Sequence, residues 1–162
     1  NLLALVAYTE LFKGLPGVGN AVVAYLVGST FLFGAAAVGA LGPAPAVLAV
    51  LAAVSTLTRE IVKDVEDIEG DRAEGLSTLP VVVGERRALV LAAALLAVAV
   101  AASPLPWLLG TFGAAYLAVV APADALMLVA AHRGFADPAA SQRLLKYGMF
   151  LAAAAFVVGR LV

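Results

Sequence analysis

From about Asn20 to Gly39 the chain carries no charged residue, and four more apolar runs follow at about Ala46–Leu57, Ala88–Ala102, Leu108–Ala131 and Tyr147–Val162. The second of these continues helically through Thr58 and Arg59 into a charged stretch. Roughly 20 residues at about 1.5 Å rise each cross a hydrocarbon core about 30 Å thick. Runs of this length decide the architecture before any finer pattern is read. Hydrophobic residues make up 64% of the 162, charged ones only 13%, and the mean hydropathy is +1.05. Soluble domains are about 45–50% apolar and about 25% charged. A soluble domain of this size has no way to hide the excess from water, so the excess faces lipid. The expected fold is all-α: a polytopic transmembrane helix bundle of about five spans. A partial one stands at Asn1–Ala7, which is too short to cross.

The links between spans carry turn and interface signals. Tyr8–Lys13 reads as an interfacial link, and Gly14–Asn20, with three glycines and a proline, reads as a turn. Ala40–Pro45 closes a tight hairpin. Ser103–Pro106 turns the chain again, with Trp107 as an interface anchor. His132–Lys146 is a polar link. Charge alternates along this series: the links at 40–45 and 103–106 have none, whereas Lys13, the stretch 59–87 and the link 133–146 hold nine of the ten Lys and Arg residues. The Lys/Arg bias of short loops puts those links in the cytoplasm. The expectation is a multi-pass protein of the cell membrane with its charged face cytoplasmic. The first residue is Asn1, inside an apolar run and without a basic segment before it. Residues 1–162 therefore read as the C-terminal part of a single longer domain.

Composition also removes several functions. A net charge of −1 gives no reason to expect nucleic acid as a partner. No Cys is present, and His132 is the one histidine, so thiolate chemistry, disulfides and a His-built metal site have no material.

What remains is the stretch from Arg59 to Arg87, which holds thirteen of the 21 charged residues. On a helix leaving the second span, Asp64, Asp67 and Asp71 stand at i, i+3 and i+7, on one face over two turns, and Glu60 shares that face. Carboxylates stacked so closely repel unless a cation neutralises them. The ion they suit is Mg²⁺, which binds one or two carboxylates together with substrate phosphates. Arg59, Lys63 and Arg72 interleave with the acids and suit a polyanion such as a diphosphate. A solvated juxtamembrane helix laced with ion pairs stays open as the alternative. Gly75 and Pro80 break the helix, and the apolar LPVVVG at 79–84 is either a lid folding over the acids or a plain connector. Within the fourth span, Asp124 costs at least about 2.5–3.5 kcal/mol on insertion scales. It either faces a cavity or finds a hydroxyl or backbone partner near a helix end. The many Ala and Gly residues favour close helix packing.

These residues resemble the UbiA superfamily of intramembrane prenyltransferases. KDVEDIEGDRAEGLSTLPVVVG is similar to that family's second aspartate-rich motif, and the likeness extends to Tyr8…Lys13, to LPGVGN, and to RLLKYGMFLAAAAFVVG. The resemblance implies helices around a central cavity with two Asp-rich motifs across its mouth. This chain carries the second motif, and the first matches nothing in it. Carried over, it makes Asp64, Asp67 and Asp71 catalytic Mg²⁺–diphosphate ligands, with Lys63, Arg59, Arg72, Lys13, Tyr8 and Asn20 as substrate contacts. Within the superfamily the set is most similar to the archaeal ether-lipid branch. That implies Mg²⁺-dependent transfer of a geranylgeranyl group from its diphosphate to geranylgeranylglyceryl phosphate. The partners implied are a prenyl diphosphate donor and a lipid-like acceptor. An aromatic or tetrapyrrole acceptor, as in quinone or chlorophyll pathways, is the alternative. A cation-selective transporter or channel is a remote one, since the spans are nearly bare of charge.

Overall fold

The computed structural model describes residues 15–161, and all regular structure among them is helical. Eight helices follow in order: α1 (Val18–Ala37), α2 (Pro43–Glu66), α3 (Ile68–Ala73), α4 (Leu79–Val83), α5 (Glu85–Ala102), α6 (Leu105–Leu108), α7 (Ala114–Arg133) and α8 (Pro138–Leu161). Five segments are long and apolar enough to cross a membrane, with α5 and α6 counted as one. The expected all-α bundle of five spans stands. The partial helix at 1–7 and the link carrying Tyr8 and Lys13 lie outside the described residues.

Packing follows residue size. Where helices meet, the buried positions are small: Gly28 and Ala24 on α1, Ala49 on α2, Ala92 and Ala99 on α5, Ala123 and Ala130 on α7, Gly148 and Ala155 on α8. Large apolar side chains point out, among them Phe33, Val98, Val129 and Val157. Water does not drive helices together inside lipid, so close backbone approach through small residues carries much of the packing beside the clusters of larger ones. One apolar cluster does form at the charged end, from Ile61, Val62 and Val65 of α2 with Leu89 and Leu96 of α5, Met127 of α7 and Leu145 of α8.

Two expectations change in detail. The polar link expected at 132–146 is short, because α8 already begins at Pro138. Asp137 caps it, accepting the Ala140 N–H at 2.9 Å, and proline at the first helical position has no N–H to leave unpaired. Gln142, Arg143 and Lys146 are therefore helical residues. The helix leaving the second span is also interrupted at Asp67, between α2 and α3. Helical hydrogen bonds continue on either side (Asp67 N–H to Lys63 O at 3.0 Å, Asp71 N–H to Asp67 O at 2.9 Å), so α3 is an offset continuation that buries Ile68.

Candidate active site

Asp64 lies near the end of α2, half-buried, and accepts a hydrogen bond from Asn20 Nδ2 on α1 at 2.8 Å. The start of the first described span thus holds a carboxylate near the end of the second. Asp71 is likewise half-buried. Its place is set twice over. Thr78 Oγ1 donates to its Oδ2 at 2.8 Å. Its backbone carbonyl accepts the Leu76 N–H at 2.9 Å, while Gly75 N–H reaches Arg72 O at 3.1 Å. This pair of bonds is the Schellman stop of a helix, and it requires the left-handed φ of +71° that Gly75 adopts. The charges of Asp71, Glu60 and Lys63 all reach Asp64. Asp67 is exposed, and among the described residues no three acidic or histidine side chains converge closely enough to form a cage around a metal ion.

The basic candidates separate by position. Arg59 is half-buried, paired with Glu60 at 3.0 Å, and donates to Gln142 Oε1 on α8 at 3.2 Å. Gln142 in turn donates to Glu66 at 3.2 Å, so it ties both ends of the last two turns of α2 to α8. Arg59 Nε is buried with no partner among the described residues. Lys63 is exposed at the same end. Arg72 is exposed and paired with Glu69 at 2.7 Å, the solvated ion pair that charge pattern alone allowed. Tyr8 and Lys13 lie outside the described residues. The apolar segment after Thr78 folds back as α4, with Leu79 and Val83 against the cluster around Ile61 and Val62. It braces α2 and does not line the cavity described next.

Below the carboxylates a cavity of about 550 Å³ runs down between α1, α2, α5, α7 and α8. Arg59, Glu60 and Lys146 stand at its mouth. Its wall is otherwise mainly apolar, including Val27, Leu51, Val120 and Met127. Its far end holds Ser103, Tyr116 and Asp124. Asp124 accepts from Ser103 Oγ at 2.5 Å, and Tyr116 Oη donates to the Ser103 carbonyl at 2.6 Å. Asp124 therefore finds a hydroxyl and faces the cavity at once. Sequence reasoning did not single out Gln142, Lys146, Ser103, Tyr116 or Thr78. A polar side chain at one position of an amphipathic helix looks solvated until its neighbour is known.

Carboxylates and cations at one end of an apolar cavity in a membrane bundle define a class of protein suited to an amphiphile with a highly charged head. A family model described as the UbiA prenyltransferase family matches residues 1–154, and the chain belongs to that family. It is 64% identical over 161 residues to a Natronomonas pharaonis protein named digeranylgeranylglyceryl phosphate synthase, covering 99% of this chain and 58% of the relative. A Haloquadratum walsbyi protein of the same name is 61% identical, covering 100% of this chain and 57% of that one. One from Methanococcoides burtonii is 46% identical, covering 98% and 58%. A solved structure described as giving insights into digeranylgeranylglyceryl phosphate synthase in membranes superposes with a TM-score of 0.88 at 36% identity, covering 98% of this chain and 58% of that one. The chain thus spans a little under three-fifths of the length of these relatives. Family and spans together make it a multi-pass membrane protein.

Proposed function

We propose that the protein transfers a geranylgeranyl group from geranylgeranyl diphosphate to the free hydroxyl of geranylgeranylglyceryl phosphate, forming the second ether bond of an archaeal membrane lipid. Residues 1–162 then act as the C-terminal part of one UbiA-type domain, with the charged end in the cytoplasm. The observation that carries this reading is the Asn20–Asp64 pair and Asp71 above an apolar cavity, in a chain with relatives of that name at more than 60% identity.

The acids suit Mg²⁺. Asn20 and Thr78 each engage one oxygen, Oδ2, of Asp64 and Asp71, and leave the second oxygen of each carboxylate without a partner among the described residues. Two hard oxygen donors without a full cage match an ion that keeps waters and takes substrate phosphate as a ligand. Asp64 and Asp71 would hold it, with Asp67 as the exposed third carboxylate, and the bound ion would supply charge neutralisation to the diphosphate as it leaves. The protein's own residues do the rest. Arg59 Nε and Lys63 offer donors to phosphate oxygens, Lys13 and Tyr8 are further contacts, and Arg72 stands at the outer edge. The cavity wall buries the prenyl chain at about 0.8 kcal/mol per CH₂. It also keeps water from the allylic carbon as the C–O bond to diphosphate breaks and the acceptor hydroxyl oxygen bonds to carbon, its proton passing to the departing diphosphate.

The full-length protein in membranes, given radiolabelled geranylgeranyl diphosphate and Mg²⁺, is expected to label geranylgeranylglyceryl phosphate. Label appearing only on an aromatic acceptor offered in parallel would overturn the acceptor assignment.

A further inference from the structure

Three aromatic side chains meet at the end of the cavity farthest from the carboxylates. Phe31 of α1 and Phe156 of α8 touch edge to face with ring centroids 5.9 Å apart, and Tyr116 of α7 stacks on Phe156 at 6.0 Å. All three line the cavity. Phe112 backs them, 5.1 Å from Tyr116 and 6.3 Å from Phe156. Lys146 at the mouth and Phe156 are ten residues apart on α8, about 15 Å along a helix axis.

Tyr116 is the fixed part of this floor. Tyr116 is fully buried, and its ring is held by stacking on one side and by its hydroxyl on the Ser103 carbonyl at the other. Ser103 is itself held through its side chain by Asp124. Gly159 lies so close that a Cβ there would stand 2.7 Å from Tyr116 Cβ, so the ring has no room to retreat toward α8. The carboxylate in the middle of an apolar span thereby acquires a use: Asp124 positions Ser103, and Ser103 positions Tyr116.

We propose that the Phe31–Tyr116–Phe156 floor is the specificity-determining stop for the donor's prenyl chain, fixing the longest chain whose diphosphate still seats at Asp64. The proposal rests on the transferase reading above. A chain one isoprene unit too long must displace a locked aromatic ring or lift its diphosphate away from the carboxylates. A shorter chain keeps its head in register and loses only burial. The floor therefore discriminates sharply against length in excess and mildly against length in deficit.

The test compares transfer by the full-length enzyme from C15, C20 and C25 prenyl diphosphates to a single acceptor. Phe156→Ala and Phe31→Ala are each expected to raise kcat/KM for the C25 donor relative to C20 at least tenfold. Phe33→Ala, at an exposed position of α1 outside the cavity wall, is expected to leave that ratio unchanged. Should an alanine variant fail to fold, Phe156→Leu is expected to give a smaller shift in the same direction. A C25-to-C20 ratio within twofold of wild type in folded Phe156 and Phe31 variants would overturn the proposal. If the wild type transfers no prenyl group to any acceptor, the transferase reading fails separately. Thermal stabilisation of the same variants by C20 and C25 diphosphates then gives the ratio that decides the floor's role.

Discussion

Asn20 shows how far a single side chain reaches. It stands at the start of α1, 44 residues before Asp64, and its amide fixes the carboxylate that the charge pattern singled out. A hydrogen bond to a charged group contributes about 1.5–3 kcal/mol. Asn20→Ala frees Asp64 to swing, and it is expected to lower transfer by about 10–100-fold, as a hydrogen bond of that size implies. Steady-state kinetics of the full-length enzyme over a range of Mg²⁺ concentration checks this, with the deficit partly recovered at high Mg²⁺. An unchanged rate would remove Asn20 from the site. The aspartates were legible in the sequence because a spacing of three and four residues puts charge on one helix face. The resemblance named Asn20 only as a substrate contact; its bond to Asp64, like that of Thr78 to Asp71, joins ordinary polar side chains whose partners only folding reveals. The same holds for Gln142, whose bonds to Arg59 and Glu66 span 83 and 76 residues.

At the scale of elements, the spans were readable from apolar length alone, and their ends were less so. Asp137 and Pro138 form a helix start that a polar composition concealed, and the offset at Asp67 divides a helix that periodicity drew as continuous. Helix pairing depends on small residues, which makes it testable. A Cβ at Gly28 of α1 would stand 2.6 Å from the Ala49 backbone oxygen and 2.9 Å from Ala53 Cβ, so only movement of α1 away from α2 accommodates it. Overpacking of this kind costs about 1–3 kcal/mol. Gly28→Ala is expected to lower the thermal unfolding midpoint in detergent by several degrees. At Gly34, on the same helix, a Cβ meets nothing within 4 Å. Gly34→Ala is expected to be neutral or slightly stabilising, because alanine favours helix over glycine by about 1 kcal/mol in general. Equal midpoints for the two variants would contradict the close α1–α2 contact.

For the whole molecule, polarity separates along one axis. The start of α1, the end of α2, the start of α5, the end of α7 and the start of α8 gather at one end with most of the charge. The other end closes on Phe31, Tyr116 and Phe156. Between them runs a cavity whose wall changes from Arg, Glu and Lys to aliphatic side chains. Alternating link charge made this polarity visible in the sequence, and the resemblance to UbiA proteins pointed to the chemistry proposed for it. The cavity itself was invisible, because its wall draws on five helices and a sequence shows one at a time. The central claim is that the Asp64–Asp71 end of this axis is where prenyl transfer occurs. The most direct measurement is Mg²⁺-dependent transfer of radiolabelled geranylgeranyl by full-length protein, comparing wild type with Asp64→Asn and Asp71→Asn. Both substitutions nearly preserve size while removing the charge, so stability should change little and activity should fall by at least about 100-fold, about 2.7 kcal/mol at 1.36 kcal/mol per tenfold. Wild-type rates in both variants, at unchanged Mg²⁺ dependence, would contradict the account.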